Sequence, residues 1–205
     1  MTAQISSGLV IDDESYTIIG SSSGSLFDPR SLGIEPKFFS SCCLKGYISS
    51  VVCKNDQLFL KSLTIGLPFN QPAPLINGVV ALDQQGELYF GHHYNDVWLP
   101  LKYSGEVELG KDWHGNLGRG NHGFAPAVEF ESVYQCVFEQ GKLIKMIDIS
   151  DSYIADRQQL IAKVEQESAK RYKQEQREKR RKLFWLKCKA FVTGKKIPAT
   201  LPDEY

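Results

Sequence analysis

Four histidines and the carboxylates near them are the side chains of this sequence best suited to chemistry. His92 and His93 stand together in GHHYND, with Asp96 close behind, and His114 and His122 lie in GKDWHGNLGRGNHG, which also carries Asp112. Imidazole and carboxylate make a usable transition-metal set, and four such ligands from two loops can converge on one ion. A metal-assisted hydrolase using His92, His93, Asp112, His114 or His122 is therefore one reading. Against it stands the spacing: no H-E-x-x-H or comparable pattern places two of them on one face of one element. The competing reading makes them loop histidines in turns or at a binding surface.

The glycines on either side of Arg119 in GNLGRGNHG invite comparison with phosphate loops, whose backbone N–H groups cradle anions. The segment lacks G-x-x-x-x-G-K-[ST] and any dinucleotide fingerprint, so it reads as a long loop between strands. Long loops are where binding residues collect. Asp112, Trp113, His114, Arg119 and His122 are accordingly the partner-binding candidates of this region. Cys42 and Cys43 sit among serines with no local signature of a nucleophile, and Cys53 and Cys136 have strand spacing that suits small core residues. No cofactor is expected.

A third set of candidates lies in KRRKLFWLKCKAFVTGKK, where Lys179, Arg180, Arg181 and Lys182 precede Leu183, Phe184, Trp185 and Leu186. As a helix this is basic and amphipathic, a pattern that suits a partner groove or a membrane surface. Phe184 and Trp185 are its leading contact residues. The alternatives are packing on the chain's own first domain or on a second copy, contact with another protein, and a membrane surface met through residues 179–192. Nucleic acid is disfavoured, because the first domain is acidic and would be repelled.

The elements that must position these residues change character along the chain. Three segments share a grammar of apolar strand, polar bend and second strand: VVCKNDQLFL at 51–60, VALDQQGELYF at 80–90 and CVFEQGKLIK at 136–145. Asn-Asp or Gly stands at each bend, where positive φ is cheapest, so three hairpins are expected. Val128, Phe130, Tyr134, Cys136 and Phe138 fall at even spacing opposite Glu129, Glu131, Gln135 and Glu139, which predicts one buried and one wet face. GSSSGSLFDPRSLG reads as a flexible loop. Residues 156–191 contain no Gly or Pro and are rich in Gln, Glu, Lys, Arg, Ala and Leu, predicting a helix that Asp151 or Ser152 caps.

The expected architecture is mainly β: an antiparallel, hairpin-built sandwich or open barrel over residues 1–150, a basic amphipathic helical extension over 151–194 and an irregular tail over 195–205. Charge marks the same division. Residues 1–155 carry 10 basic and 17 acidic side chains, a net of −7, whereas residues 156–196 carry 14 and 5, a net of +9. Five cysteines without C-x-x-C pairing, no export signal and no run of 18 apolar residues point to a cytoplasmic protein that neither spans a membrane nor needs disulfides.

From Ser41 the segment SCCLKGYISSVVCKNDQLFLKSL resembles an uncharacterised bacterial β-rich family with a Thr-Ala-Cys-Trp-Arg-Gly-Tyr strand, an Asn/Asp-Gly turn and Leu-Tyr-Leu. Cys43, Gly46, Tyr47, Leu58 and Leu60 match, while Leu44 and Lys45 replace Trp-Arg and Phe59 replaces Tyr. Ile76-Asn77-Gly78 and the strand from Tyr103-Ser104-Gly105 to Leu109 resemble later strands of that family, so the likeness covers residues 37–112. It implies a β fold and a bacterial source and carries no active site. The leading expectation is a non-enzymatic protein-binding module whose partner is another protein or a second copy, in its most specific form an immunity or inhibitor protein that meets a basic toxin. A metal-assisted hydrolase and a peripheral membrane adaptor are the alternatives.

Overall fold

The computed structural model describes residues 5, 7–68, 71–86, 89–115 and 125–193. Ten strands form one mixed sheet: β1 (Gly8–Ile11), β2 (Glu14–Ser21), β3 (Tyr47–Lys54), β4 (Gln57–Ile65), β5 (Leu82–Gly86), β6 (Tyr89–Tyr94), β7 (Leu99–Pro100), β8 (Gly105–Trp113), β9 (Phe130–Glu139) and β10 (Lys142–Asp148). The helix α1 (Ile154–Thr193) follows a single 3-10 turn at Ser150–Tyr153. The chain divides after Arg157 rather than near residue 150, so the first turn of α1 belongs with the strands and residues from Gln158 form a second unit.

The three predicted hairpins are β3–β4, β5–β6 and β9–β10. Asn55 and Asp56 take φ of 51° and 60°, and Gln140 and Gly141 take 50° and 83°. Two consecutive left-handed residues match the twist of the strands they join. A further hairpin, β1–β2, turns on Asp12 and Asp13 at φ of 47° and 64°, a pair of carboxylates that the sequence does not advertise as a bend.

Strand order runs β10-β9-β8-β2-β1-β3-β4, and β4 then meets β10 again at Gln57 and Lys142, so seven strands close into a barrel. The expected mainly β architecture with a C-terminal helix is present, and of the sandwich and the barrel it is the barrel. β1 and β3 run parallel, making the sheet mixed rather than wholly antiparallel. Closure depends on Gly141: its carbonyl accepts from the Leu58 amide at 2.8 Å and its own amide donates to the Tyr103 carbonyl at 2.7 Å. The Leu143 amide adds a bond to the Asp56 carbonyl at 2.7 Å. Gln57 Nε2 ties the same corner to the carbonyls of Leu58 and Leu101 at 3.2 and 3.1 Å. Beyond the seam, β4 continues outward to pair with β6 through Leu63–Ile65 and with β7 through Phe59–Leu60.

Alternation along the strands fills the interior with Leu9, Ile11, Val51, Cys53, Leu58, Leu60, Leu63, Ile65, Val107, Leu109, Cys136 and Phe138. The alternation on β4 slips between Leu60 and Leu63 because Lys61 is the extra residue of a bulge: the adjacent Ser50 and Val51 of β3 pair with Ser62 and Leu60. The segment expected to be a flexible loop is anchored instead. Leu26, Phe27 and Ile34 are buried in the same core, Tyr47 Oη donates to the Phe27 carbonyl at 3.0 Å, and Asp28 caps the 3-10 turn Pro29–Leu32. Two apolar residues after the serines outweigh the flexibility of Ser and Gly, because their burial recovers about 1.5–3 kcal/mol each.

The face of β9 expected to be wet is also partly covered. Val133 packs with Ile19, Phe130, Ile149 and Tyr153, forming a second apolar cluster on which the turn Ser150–Tyr153 lies. Ser150 holds that turn down by accepting from the Val133 amide at 2.9 Å. Glu129, assigned by spacing to solvent, is buried.

All five cysteines are free, with Cys43, Cys53 and Cys136 buried and Cys188 exposed. Burial pushes the Cys136 thiol up to about 12 and, with the Asp56 carboxylate adding to it, the Cys53 thiol up to about 11. These are inert core thiols. A thiol reagent at pH 8 therefore labels Cys188 in the native protein and leaves Cys43, Cys53 and Cys136 unmodified until denaturant is added; prompt labelling of all five would contradict the packing. Because the two folded thiols stay protonated after unfolded ones ionise, their contribution to stability is complete below pH 9 and is lost as pH rises toward about 11 to 12, measurable as a falling urea midpoint.

A Cβ on Gly141 would lie 1.8 Å from the Leu101 carbonyl oxygen, and the residue sits at positive φ. Gly141→Ala is expected to cost about 4 kcal/mol or more in urea denaturation, or to prevent folding. A loss under about 1 kcal/mol would show that the seam is not tight.

Candidate functional site

The sequence candidates on β8 come together with residues that spacing alone assigned elsewhere. Asp112 takes φ of 57°, a left-handed kink at the end of β8, after which Trp113 pairs with Phe130 and the His114 amide donates to the Glu129 carbonyl at 2.8 Å. A kink of this kind re-aims the last side chains of a strand. Here Trp113 Nε1 donates to Glu129 Oε2 at 3.1 Å and His114 Nε2 meets Glu131 Oε2 at 2.6 Å. The Arg157 guanidinium, from the first turn of α1, reaches the same Glu131 oxygen at 4.0 Å.

Two members of this group are unusual in being charged and buried, with Glu129 at 3% and Arg157 at 8% exposure. Glu129 Oε1 and Arg157 Nε and Nη2 have no hydrogen-bond partner. A buried ionic atom left without a partner costs free energy that the fold alone does not recover. Trp113 is more than half exposed beside them, with only its indole N–H committed. The arrangement therefore presents an aromatic face and an imidazole oriented by a carboxylate at one edge of the barrel, above two buried ionic side chains. Nearby, Lys111 pairs with Glu14 across to β2, and the ammonium holds the Glu14 carboxyl below its usual range.

His92 and His93 lie on another strand, β6. His92 and His93 pair with Ile65 and Thr64 from β6, and His93 has both ring nitrogens engaged, Nδ1 with Thr64 Oγ1 and Nε2 with Asn95 Oδ1, each at 2.7 Å. Among the described residues no three His, Cys, Asp or Glu side chains gather as a metal set, so His92, His93, Asp112 and His114 do not form one. Arg119 and His122 lie outside the described residues.

In the second unit, Phe184, Trp185 and Phe191 are 70, 60 and 92% exposed on α1, and Leu183 is exposed with them. Arg181, Lys182, Trp185 and Leu186 line a shallow apolar surface there, and Lys189 Nζ lies 5.0 Å from the Trp185 ring centroid. No helix among the described residues is long and apolar enough to cross a membrane. No family model, curated protein or solved structure matches the chain.

Glu129, Glu131 and Arg157 are the residues that sequence reasoning missed at the barrel edge. Alternation put both glutamates on the wet face, and only the β8–β9 register, with Trp113 opposite Phe130, places them beside Trp113 and His114. Arg157 sat unremarked in a helix of many cations. Arg157→Met removes an unsatisfied buried charge and keeps the stem's packing, so it is expected to raise stability by about 1 to 2 kcal/mol in urea denaturation. Destabilisation by a similar amount would mean that the Arg157 pairing with Glu131 outweighs the cost of its buried charge.

Proposed function

We propose that the protein is a non-enzymatic binding module that contacts another protein or a second copy of itself through the aromatic, basic end of α1, with the Trp113–His114 edge of the barrel as a second contact surface. The observation that carries this reading is the exposure of Phe184, Trp185 and Phe191 amid Arg180, Arg181, Lys182, Lys187 and Lys189. Large exposed apolar side chains clustered on a surface mark interaction sites, and Trp, Phe and Arg are the types enriched at the centres of interfaces. The exposed indole of Trp113, anchored through its N–H on the buried Glu129, supports the second surface.

Within this class, an immunity or inhibitor protein acting on a basic toxin is the specific form we favour. Its support is the net charge of −7 over residues 1–155, which steers a cationic partner toward the barrel. A bacterial source and kinship with the Cys43-Gly46-Tyr47 strand family belong to the same proposal.

Sedimentation and affinity capture of the full chain test it together with a Phe184→Ser, Trp185→Ser, Phe191→Ser variant. The wild type is expected to self-associate or to retain a specific protein from native lysate, and the variant to lose that property with its barrel still folded. Identical sedimentation and identical capture by both chains would contradict the reading. Flotation of the wild type alone with anionic liposomes would transfer these residues to a membrane-surface role.

A further inference from the structure

A second concave surface lies on the outer face of the barrel where β1 and β3 run parallel, and none of the candidates above belongs to it. It is a cleft of about 350 Å³ whose floor includes Val10, Ser50 and Val52. Its rim is made by the two left-handed turn tips, Asp12–Asp13 and Asn55, together with Lys54, Lys61 and Trp98. The volume is within the range of small-molecule sites.

Trp98 is the feature that singles this cleft out. It is held at φ of 47°, a conformation rare for a bulky residue, and yet its indole remains 38% exposed. The surroundings fix it there. Asn77 Nδ2 donates to the Val97 and Trp98 carbonyls at 2.7 and 3.3 Å, the Val97 amide donates to the Lys61 carbonyl at 2.9 Å, and Phe59 meets the indole edge-on with centroids 6.0 Å apart. The fold thus immobilises an aromatic face at the wall of a cleft instead of burying it.

Two ammonium groups lie over that ring. Lys54 Nζ and Lys61 Nζ stand 5.6 and 6.0 Å from the Trp98 ring centroid. Asp12 and Asp13 line the same cleft, but among the described residues neither lysine forms an ion pair with either of them. Two ammonium groups and two carboxylates therefore face one solvent-filled space without neutralising each other.

We propose that this cleft binds a mononucleotide. The three features correspond to its three parts: the planar base takes the indole face in place of the ammonium groups, Lys54 and Lys61 swing from the ring to the phosphate, and Asp12 and Asp13 meet ribose hydroxyls or exocyclic amino groups. A neutral sugar would use the indole and the carboxylates but leave both lysines idle. A long polyanion would meet the net charge of −7 carried by residues 1–155. The site does not depend on α1 or on the binding role proposed for it.

The chain has three tryptophans, so the full-length Trp113→Phe, Trp185→Phe variant reports from Trp98 alone. Titration with AMP, GMP, CMP and UMP is expected to quench that fluorescence saturably, with a midpoint below about 1 mM for at least one of them. The midpoint should rise roughly tenfold in Lys54→Gln, Lys61→Gln and when the matching nucleoside replaces the nucleotide. Amide NMR shifts in the wild-type chain should locate the same ligand at Asp12, Asp13, Lys54 and Trp98. Absence of saturable quenching by all four nucleotides, equal binding of nucleoside and nucleotide, tighter binding of a neutral disaccharide, or shifts confined to other residues would each overturn the assignment.

Discussion

Closure of the barrel at Gly141 is the constraint on which the rest of the first unit depends. A β10 left without a neighbour at its start would present unpaired backbone groups that can pair between chains. The Leu58-to-Gly141 and Leu143-to-Asp56 bonds join the two strands at that corner. They are short and local, yet residues 57 and 142 are far apart in sequence, so the seam locks seven strands at once. Only a residue without a side chain fits, since the Leu101 carbonyl occupies the space that a Cβ would take. The same carbonyl accepts from Gln57 Nε2, and the Leu101 amide donates to Leu58 at 2.9 Å, so the segment after β7 is fastened to the seam.

Both candidate surfaces of the barrel inherit their geometry from that closure. β4 closes the barrel through Gln57 and carries Phe59 and Lys61, which place the indole of Trp98 and one of its two ammonium groups. On the opposite side of the strand order, β9 joins β10 to β8 and so fixes the register by which Glu129 and Glu131 stand beside Trp113 and His114. Charged atoms without partners occur at one site and unpaired charges of both signs at the other. The buried ones cost stability, whereas the surface ones are solvated and remain available. Each site sets charged side chains beside an exposed tryptophan, and that placement supports the two proposed roles.

Much of the local structure was legible because it rests on local chemistry. Asn55-Asp56 and Gln140-Gly141 announce their hairpins, since residues tolerant of positive φ stand between β-formers. The helix from Ile154 is legible because a stretch of strong helix formers lacks Gly and Pro. What the sequence did not reveal was set by contacts between distant elements. Asp12-Asp13 resembles an acidic surface patch until β1 and β2 are paired across it. Leu26 and Phe27 resemble loop residues until the barrel end they enter exists. Glu129 follows the wet parity of its strand but is covered, because the kink at Asp112 turns Trp113 toward it. Trp98 gave no signal at all: only the pairing of β7 with β4 brings it to Lys54, Phe59 and Lys61.

The most direct test of the central claim is amide hydrogen exchange measured residue by residue in the native chain. If the β4–β10 seam holds the barrel closed, the Leu58, Gly141 and Leu143 amides exchange only through global unfolding and belong to the slowest class, together with Val107 and Cys136 in the middle of the sheet. Exchange at Leu58, Gly141 and Leu143 at rates typical of an exposed turn, with Val107 and Cys136 still protected, would show an open sheet in solution and contradict the account.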